Sequence, residues 1–300
     1  MATRCRVPHR SSAAQPDRGR PHGRCRRRQE LSRPGKGERS RADLGPAALI
    51  ARPAAIAVLL WVSTGVASAR DYCPTRPSLG QSACVLDPGR VAVETALADW
   101  ERDDDSDTVL FGDTLFRLGL TDRVEAQIEW TPLGVTRDRR TSLRSARTGD
   151  AEIGARIALR NPDGKGLSYG LQPSVTVPVG RSPIGQGGWG AAIVAPVSYD
   201  LSETLNLQFS PELSWDPRDA GAGHLVRGTA TLGLGINLSD RCQLTAEGQW
   251  AHDAEATERR FALAVAWQVT PDLAIDAGGV TGLDDETPGI RIYSGVSHRF

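Results

Sequence analysis

The chain has 300 residues, with 36 basic and 36 acidic side chains and therefore no formal net charge. The charges are segregated: residues 1–52 hold fourteen of the Arg and Lys but only four of the Asp and Glu, leaving 22 basic and 32 acidic residues beyond them. An acidic body argues against nucleic-acid binding, which needs a basic face to displace phosphate counterions.

Residues 1–45 are basic without interleaved aromatics or apolar periodicity, and read as a disordered or untranslated leader. Residues 46–69 read as a secretory signal peptide. Arg52 precedes the apolar run Pro53–Val62, and Ala67-Ser68-Ala69 supplies a small-residue cleavage site. The run falls short of the roughly 20 residues that span a bilayer as a helix. Cleavage is expected after Ala69, leaving Arg70–Phe300. The leader is long for a signal peptide; one explanation is a translation start downstream of Met1, which would need a non-ATG codon because Met1 is the only methionine.

Residues 70–88 are expected to form an N-terminal segment in the periplasm. In an oxidising compartment Cys73 and Cys84 are expected to close a small local loop, with free thiols or pairing to Cys242 as alternatives. No CxxC and no neighbouring His accompanies them, so zinc is not expected.

From residue 90 onward the chain alternates with period two, the signature of strands. Along 261–269, Phe261, Leu263, Val265, Trp267 and Val269 share one face and three alanines with Gln268 the other. The segments 122–130 and 242–250 alternate in the same way. Strands are predicted near 90–100, 107–119, 122–131, 149–160, 167–180, 189–201, 204–215, 224–238, 242–252, 259–270, 273–284 and 289–300. Strands of about ten residues suit a membrane barrel rather than a globular sheet. The predicted fold is an all-β antiparallel transmembrane barrel of about twelve strands over 89–300, of the outer-membrane type. A soluble β-sandwich is the competing architecture.

Short links, such as Leu120-Thr121 and Pro271-Asp272, alternate with longer ones, such as 132–148 and 181–188. This is the pattern of periplasmic turns and extracellular loops. Trp100, Trp130, Trp189, Trp215 and Trp250 fall at the long-loop rim, and Tyr169, Tyr199 and Trp267 near the other, as two interfacial girdles require. The last strand ends on Phe300. It is similar to the signal through which the barrel-assembly machinery recognises its clients, although His298 stands where an apolar residue is usual. Pro178, Pro196 and Pro211 lie inside predicted strands, so bulges or displaced strand ends are expected there.

The segments DYCPTRPSLGQSACVLDPGRVAVE, FRLGLTDRVEAQIEW, GDAEIGARIALR, LQPSVTVPVG and VAPVSYDLSETLNLQFSPEL resemble the transporter family named for the meta-pathway of phenol degradation, over nearly all of 70–300. The resemblance implies an outer-membrane barrel that moves aromatic or other small molecules, with no catalytic residue to carry over.

Strand parity places charged residues on one face. Arg117, Glu125, Glu129, Glu152, Arg156 and Arg160 lie in the first half of the barrel, with Glu94 and Asp113. Glu212, Arg227, Glu247, Asp276 and Arg291 follow in the second half, with Arg299. On the lipid face each Arg would cost roughly 2–4 kcal/mol near the midplane, so this face is the lumen. It is either a charged pathway for a solute or a salt-bridged core that closes the barrel.

The basic stretch 137–147 reads as an extracellular loop able to meet lipopolysaccharide phosphates, or as a solvated loop balanced by Asp103-Asp104-Asp105. The glycine-rich stretch 180–190 has no Gly-Lys-Ser/Thr and reads as a hairpin rather than a phosphate loop. His224, His252 and His298 lie in separate strands, and no enzyme, cofactor or metal is expected. The expected function is a passive channel for a small aromatic or hydrophobic solute. The alternative is a closed structural or adhesive barrel whose loops bind lipopolysaccharide or a partner.

Overall fold

The computed structural model describes residues 70–300 except 219–222, 285–286 and 288. The expected leader, signal peptide and cleavage point after Ala69 lie outside the described residues. The first strands are β1 (Val91–Arg102), β2 (Ser106–Phe111), β3 (Thr114–Thr121), β4 (Val124–Trp130), β5 (Leu133–Asp138), β6 (Arg144–Arg147), β7 (Ala151–Arg160) and β8 (Ser168–Val177). They are followed by β9 (Gly190–Val194), β10 (Val197–Asp200), β11 (Leu205–Pro217), β12 (His224–Ser239), β13 (Cys242–His252), β14 (Thr257–Thr270), β15 (Leu273–Gly282) and β16 (Ile290–Arg299).

Neighbouring strands pair antiparallel, and β16 pairs with β1 from Arg299↔Ala92 to Ile290↔Arg102, closing the sheet. Four pairs of segments are halves of one stave, interrupted at Gly112-Asp113 (β2, β3), Thr131-Pro132 (β4, β5), 148–150 (β6, β7) and Ala195-Pro196 (β9, β10). The sixteen segments therefore make the twelve staves expected from the sequence.

The burial pattern is inverted relative to a soluble protein. Among the largest fully buried side chains are Arg117, Arg156, Glu94, Glu125 and Glu247. On β14, Phe261, Leu263 and Trp267 are 44%, 48% and 49% exposed, while Ala262 and Ala264 are buried. Water would penalise such an outer surface, and hydrocarbon favours it. This inversion excludes the sandwich.

Three of the short links are two-residue turns, and each follows a bulge: at Gly119/Thr121, Asn237/Ser239 and Gln268/Thr270. One extra residue per turn sharpens the local twist where the wall curves. The link between β7 and β8 is held by the Asn161 side chain, which donates to the Lys165 and Leu167 carbonyls at 3.0 Å each. Asn161 has φ 45, a left-handed conformation that Asn tolerates.

Three sequence expectations change. The expected long loop 132–148 is mostly a hairpin: β5 continues β4, β6 leads into β7, and only 139–143 is its tip. Pro132 and Gly149 interrupt the alternation and hid its continuity. Of the three prolines, Pro178 and Pro196 meet the expectation of displaced strand ends, one residue beyond β8 and in the break between β9 and β10, and Pro211 departs from it. Pro211 stays within β11 opposite Ala230 without a bulge, its carbonyl accepting from Ala195 N at 2.9 Å. The third change is a bulge between Ala96 and Ala98, which turns Leu97 outward and reverses the parity of β1 beyond it.

Candidate functional site: a plugged lumen with an acidic chamber

Residues 70–86 are folded inside the barrel, at the end that carries the short turns. Ala83, Cys84, Val85 and Leu86 are buried, and a disulfide joins Cys73 to Cys84. The segment assigned by sequence to the region before the barrel is thus a plug. Its backbone polar groups have no sheet to join, so the charged wall satisfies them.

Arg117 is the central tie. Its Nε and Nη2 donate to Glu125 at 2.9 and 3.0 Å, and its Nη1 donates to Glu94 at 2.7 Å. The same guanidinium reaches the plug carbonyls of Cys73, at 2.8 Å, and Cys84, at 3.4 Å. Glu94 in turn accepts the Thr75 and Arg76 amides at 2.8 and 3.1 Å, and Glu125 accepts the Leu86 amide at 2.9 Å. Arg156 donates to the Cys84 carbonyl, Thr75 Oγ1 and Gln81 Oε1 at 2.9–3.1 Å. Each wall charge is therefore neutralised by another wall charge and also spans to the plug, which makes burial of these ions tolerable.

The opposite wall holds residues 76–81. Glu247 accepts from Ser78 Oγ and from the Leu79 and Gly80 amides, the amides at 2.7 and 3.1 Å. Ser210 Oγ accepts the Gln81 amide and donates to its carbonyl. Arg76 forms a two-armed pair with Asp276 at 3.1 and 3.2 Å, and Tyr293 Oη donates to the Pro77 carbonyl at 2.7 Å. A methyl group on Gly295 would come within 2.3 Å of Arg76 Nε, so this glycine leaves room for the plug.

Above the plug the lumen opens. A cavity of about 170 Å³ lies between Thr75, Ser78 and Gln81 of the plug and Asp113, Glu129 and Glu152 of the wall. A second space of about 230 Å³ shares those three acids and extends to Trp130 and Asp150. The loop 180–187 folds against its mouth. Asp150 accepts the Gly180, Gln186 and Gly187 amides at 2.7–3.1 Å, and Ile184 occupies the space a side chain at Gly134 would need.

The sequence-predicted residues divide by height. Arg117, Glu125, Arg156, Glu247 and Asp276 grip the plug. Glu129 and Glu152 line the chamber, and the half-buried Glu212 stands on the same face of β11 as the buried Ser210 and Ser214. Arg227 pairs with Asp253 and Glu258 near the long-loop rim, and Arg291 pairs with Asp99. Arg160 is a correction: a bulge between Ala158 and Arg160 sets it opposite the outward Tyr169, so it is exposed outside the lumen. Asp99, 2% exposed, was missed because the bulge at Leu97 reverses parity. The signal was present, since an outward Leu97 and an outward Trp100 are an odd number of residues apart. His224 stacks on Trp215, His252 stacks on Trp250, and His298 meets the edge of Phe300.

Residues 75–300 match the model of the family described as "Putative MetA-pathway of phenol degradation". No curated protein matches the chain in sequence. An outer membrane channel from Pseudomonas putida F1 is 13% identical, with 78% of this chain and 99% of that one covered and a TM-score of 0.56. The NanC porin is 8% identical, covering 69% and 98%, with a TM-score of 0.45. The translocator domain of the autotransporter NalP from Neisseria meningitidis is 14% identical, covering 70% and 88%, with a TM-score of 0.44. The first likeness shows the shared barrel fold, and the match across three quarters of the sequence shows the family: this chain is a β-barrel of the outer-membrane type and belongs to the family of the MetA-pathway of phenol degradation.

Proposed function

We propose that the protein is a passive outer-membrane channel for small aromatic solutes, closed at rest by residues 70–86. The observation that carries this reading is the division of the lumen: an open chamber above, and below it a segment that is not part of the wall. A barrel filled by its own wall side chains would need no such segment. The family's description supports an aromatic solute. Arg76 and Arg291 also line the chamber but are held by Asp276 and Asp99, so Asp113, Glu129 and Glu152 set its charge and disfavour anions; the permeant is a neutral or cationic aromatic, such as an undissociated phenol. Solute crosses down its gradient once the plug shifts, with no cofactor.

In this reading the mature chain begins after Ala69, and the short turns face the periplasm. The barrel-assembly machinery engages the strand that carries Tyr293 and Phe300, and lipopolysaccharide surrounds the other rim. The second reading, a permanently closed barrel that acts through its loops, draws on the same plug and its disulfide.

Swelling of liposomes separates the two. Measured above the rate of protein-free liposomes, phenol and benzylamine should enter proteoliposomes faster than benzoate of the same size, and Glu129→Gln with Glu152→Gln should narrow that difference. Entry of none of them above the protein-free rate, with the plug either intact or released, favours the closed barrel.

A further inference from the structure

The outward face of the wall changes character within two residues at the long-loop end. Ile292, Trp100, Val109, Val135 and Ala146 form one cross-strand row over β16, β1, β2, β5 and β6. The next outward row runs Ile290, Arg102, Asp107, Arg137 and Arg144. A rise of 3.3–3.4 Å per residue sets the rows about 7 Å apart. A step from apolar to charged over that distance is where hydrocarbon gives way to headgroups.

The charged row is not balanced. Asp107 stands between Arg102, whose Nε lies 2.7 Å away, and Arg137 directly opposite, so one carboxylate faces two guanidiniums and Arg144 adds a third. In the hairpin tip Arg140 pairs with Asp105, and Arg139 donates to the Asp103 and Asp104 carbonyls. Arg137 and Arg144 are both exposed and stand directly opposite each other in the β5–β6 ladder. Like charges directly opposite on paired strands repel, and an anion between them relieves that repulsion. Two guanidinium forks side by side match a phosphate, which accepts from both. Below them, Val135, Leu133 and Phe111 face outward, ready to lie against acyl chains.

We propose that the outward face of the β5–β6 hairpin binds a phosphorylated glycolipid of the outer leaflet, its phosphate held between Arg137 and Arg144. This rests on the reading of the barrel as an outer-membrane protein with its long-loop end outward. The apolar row fixes the height of the phosphate, and so selects a lipid-borne one over a free ion.

Native mass spectrometry of the full chain in detergent, titrated with lipopolysaccharide, tests it. Arg137→Ala with Arg144→Ala should weaken binding by about tenfold or more, the loss expected for removing charge-assisted contacts. Removing the phosphates from the glycolipid should weaken wild-type binding similarly. Arg137→Lys with Arg144→Lys, which keeps the charge and loses the forks, should fall between. Millimolar inorganic phosphate should not displace the glycolipid. Equal binding by wild type and the double alanine variant overturns the proposal, as does equal binding of the phosphate-free lipid. Displacement by inorganic phosphate also overturns it, because the site would then be one for a free ion. Solute uptake into liposomes free of lipopolysaccharide should be the same for the double variant and wild type, so failure here is distinct from failure of the channel reading.

Discussion

Arg117 grips Glu125 with two arms, at 2.9 and 3.0 Å, and neither side chain reaches solvent. The same guanidinium holds the carbonyls at both ends of the disulfide loop, so one buried ion pair ties the wall to the plug. Arg117→Met would leave Glu94 and Glu125 short of their counter-charge, at a cost of about 3–5 kcal/mol. We expect a barrel that still forms, because strand pairing does not depend on this side chain, but a plug that opens readily. Hydrogen exchange should show fast amides at Thr75, Arg76 and Leu86, with the β12–β15 ladder still protected. Slow exchange at those three amides would mean that Arg117 is dispensable to the seat.

Two glycines act as seats for the plug. A Cβ on Gly119 would lie 2.1 Å from the Asp87 carbonyl oxygen, and one on Gly295 would meet Arg76. Gly228 and Gly248 have open space at the same position. Gly119→Ala and Gly295→Ala should each raise the susceptibility of residues 70–87 to protease, whereas Gly228→Ala and Gly248→Ala should not. Equal susceptibility in all four would remove the steric argument.

The outer end of the plug is pinned by an exposed ion pair, Lys165 to Asp71 at 2.8 Å. The Lys165 hydrogen bond and charge hold the Asp71 carboxyl below the usual carboxylate range, and Asp71 holds the Lys165 ammonium above its usual value. The lowered carboxyl contributes above its unfolded pKa, near 3.9, and is lost as pH falls through the lowered value; the raised ammonium contributes below about 10.4 and is lost as pH rises through the raised one. The pair therefore works from about pH 4 to pH 10, weakly, and salt screens it. Hydrogen-exchange protection near residue 71, taken relative to the unstructured rate at each pH, should fall outside that window or in high salt. No change in either condition would show that the pair does not restrain the chain.

Lys165 also reports orientation, as the only lysine after residue 36. A membrane-impermeant amine reagent should leave it unlabelled on intact cells and label it once the outer membrane is breached. Trypsin on intact cells should cut in the hairpin tip 139–143. Efficient labelling of Lys165 on intact cells would invert the topology.

Period-two alternation made the twelve staves legible, because successive wall residues face lipid and lumen in turn. The inner charges were legible for the same reason. Parity failed where a bulge shifts the count, and so misplaced Arg160 and missed Asp99. The plug was not legible at all. Residues 70–86 show no periodicity, and their place is set by tertiary hydrogen bonds that their amides donate to Glu94, Glu125 and Glu247, which lie far away in sequence. The Cys73–Cys84 spacing signalled a loop but not where it sits.

In the proposed function, residues 70–86 close a lumen that otherwise conducts. Single-channel recording in planar bilayers tests it most directly, comparing the intact chain with a variant lacking 70–86 whose barrel is verified by its heat-dependent gel mobility. The intact chain should show low conductance with brief openings, and the variant a larger, steady, cation-preferring conductance that falls when Glu129 and Glu152 are changed to Gln. Equal conductance in the two proteins, or none in either, would mean that residues 70–86 do not gate the barrel.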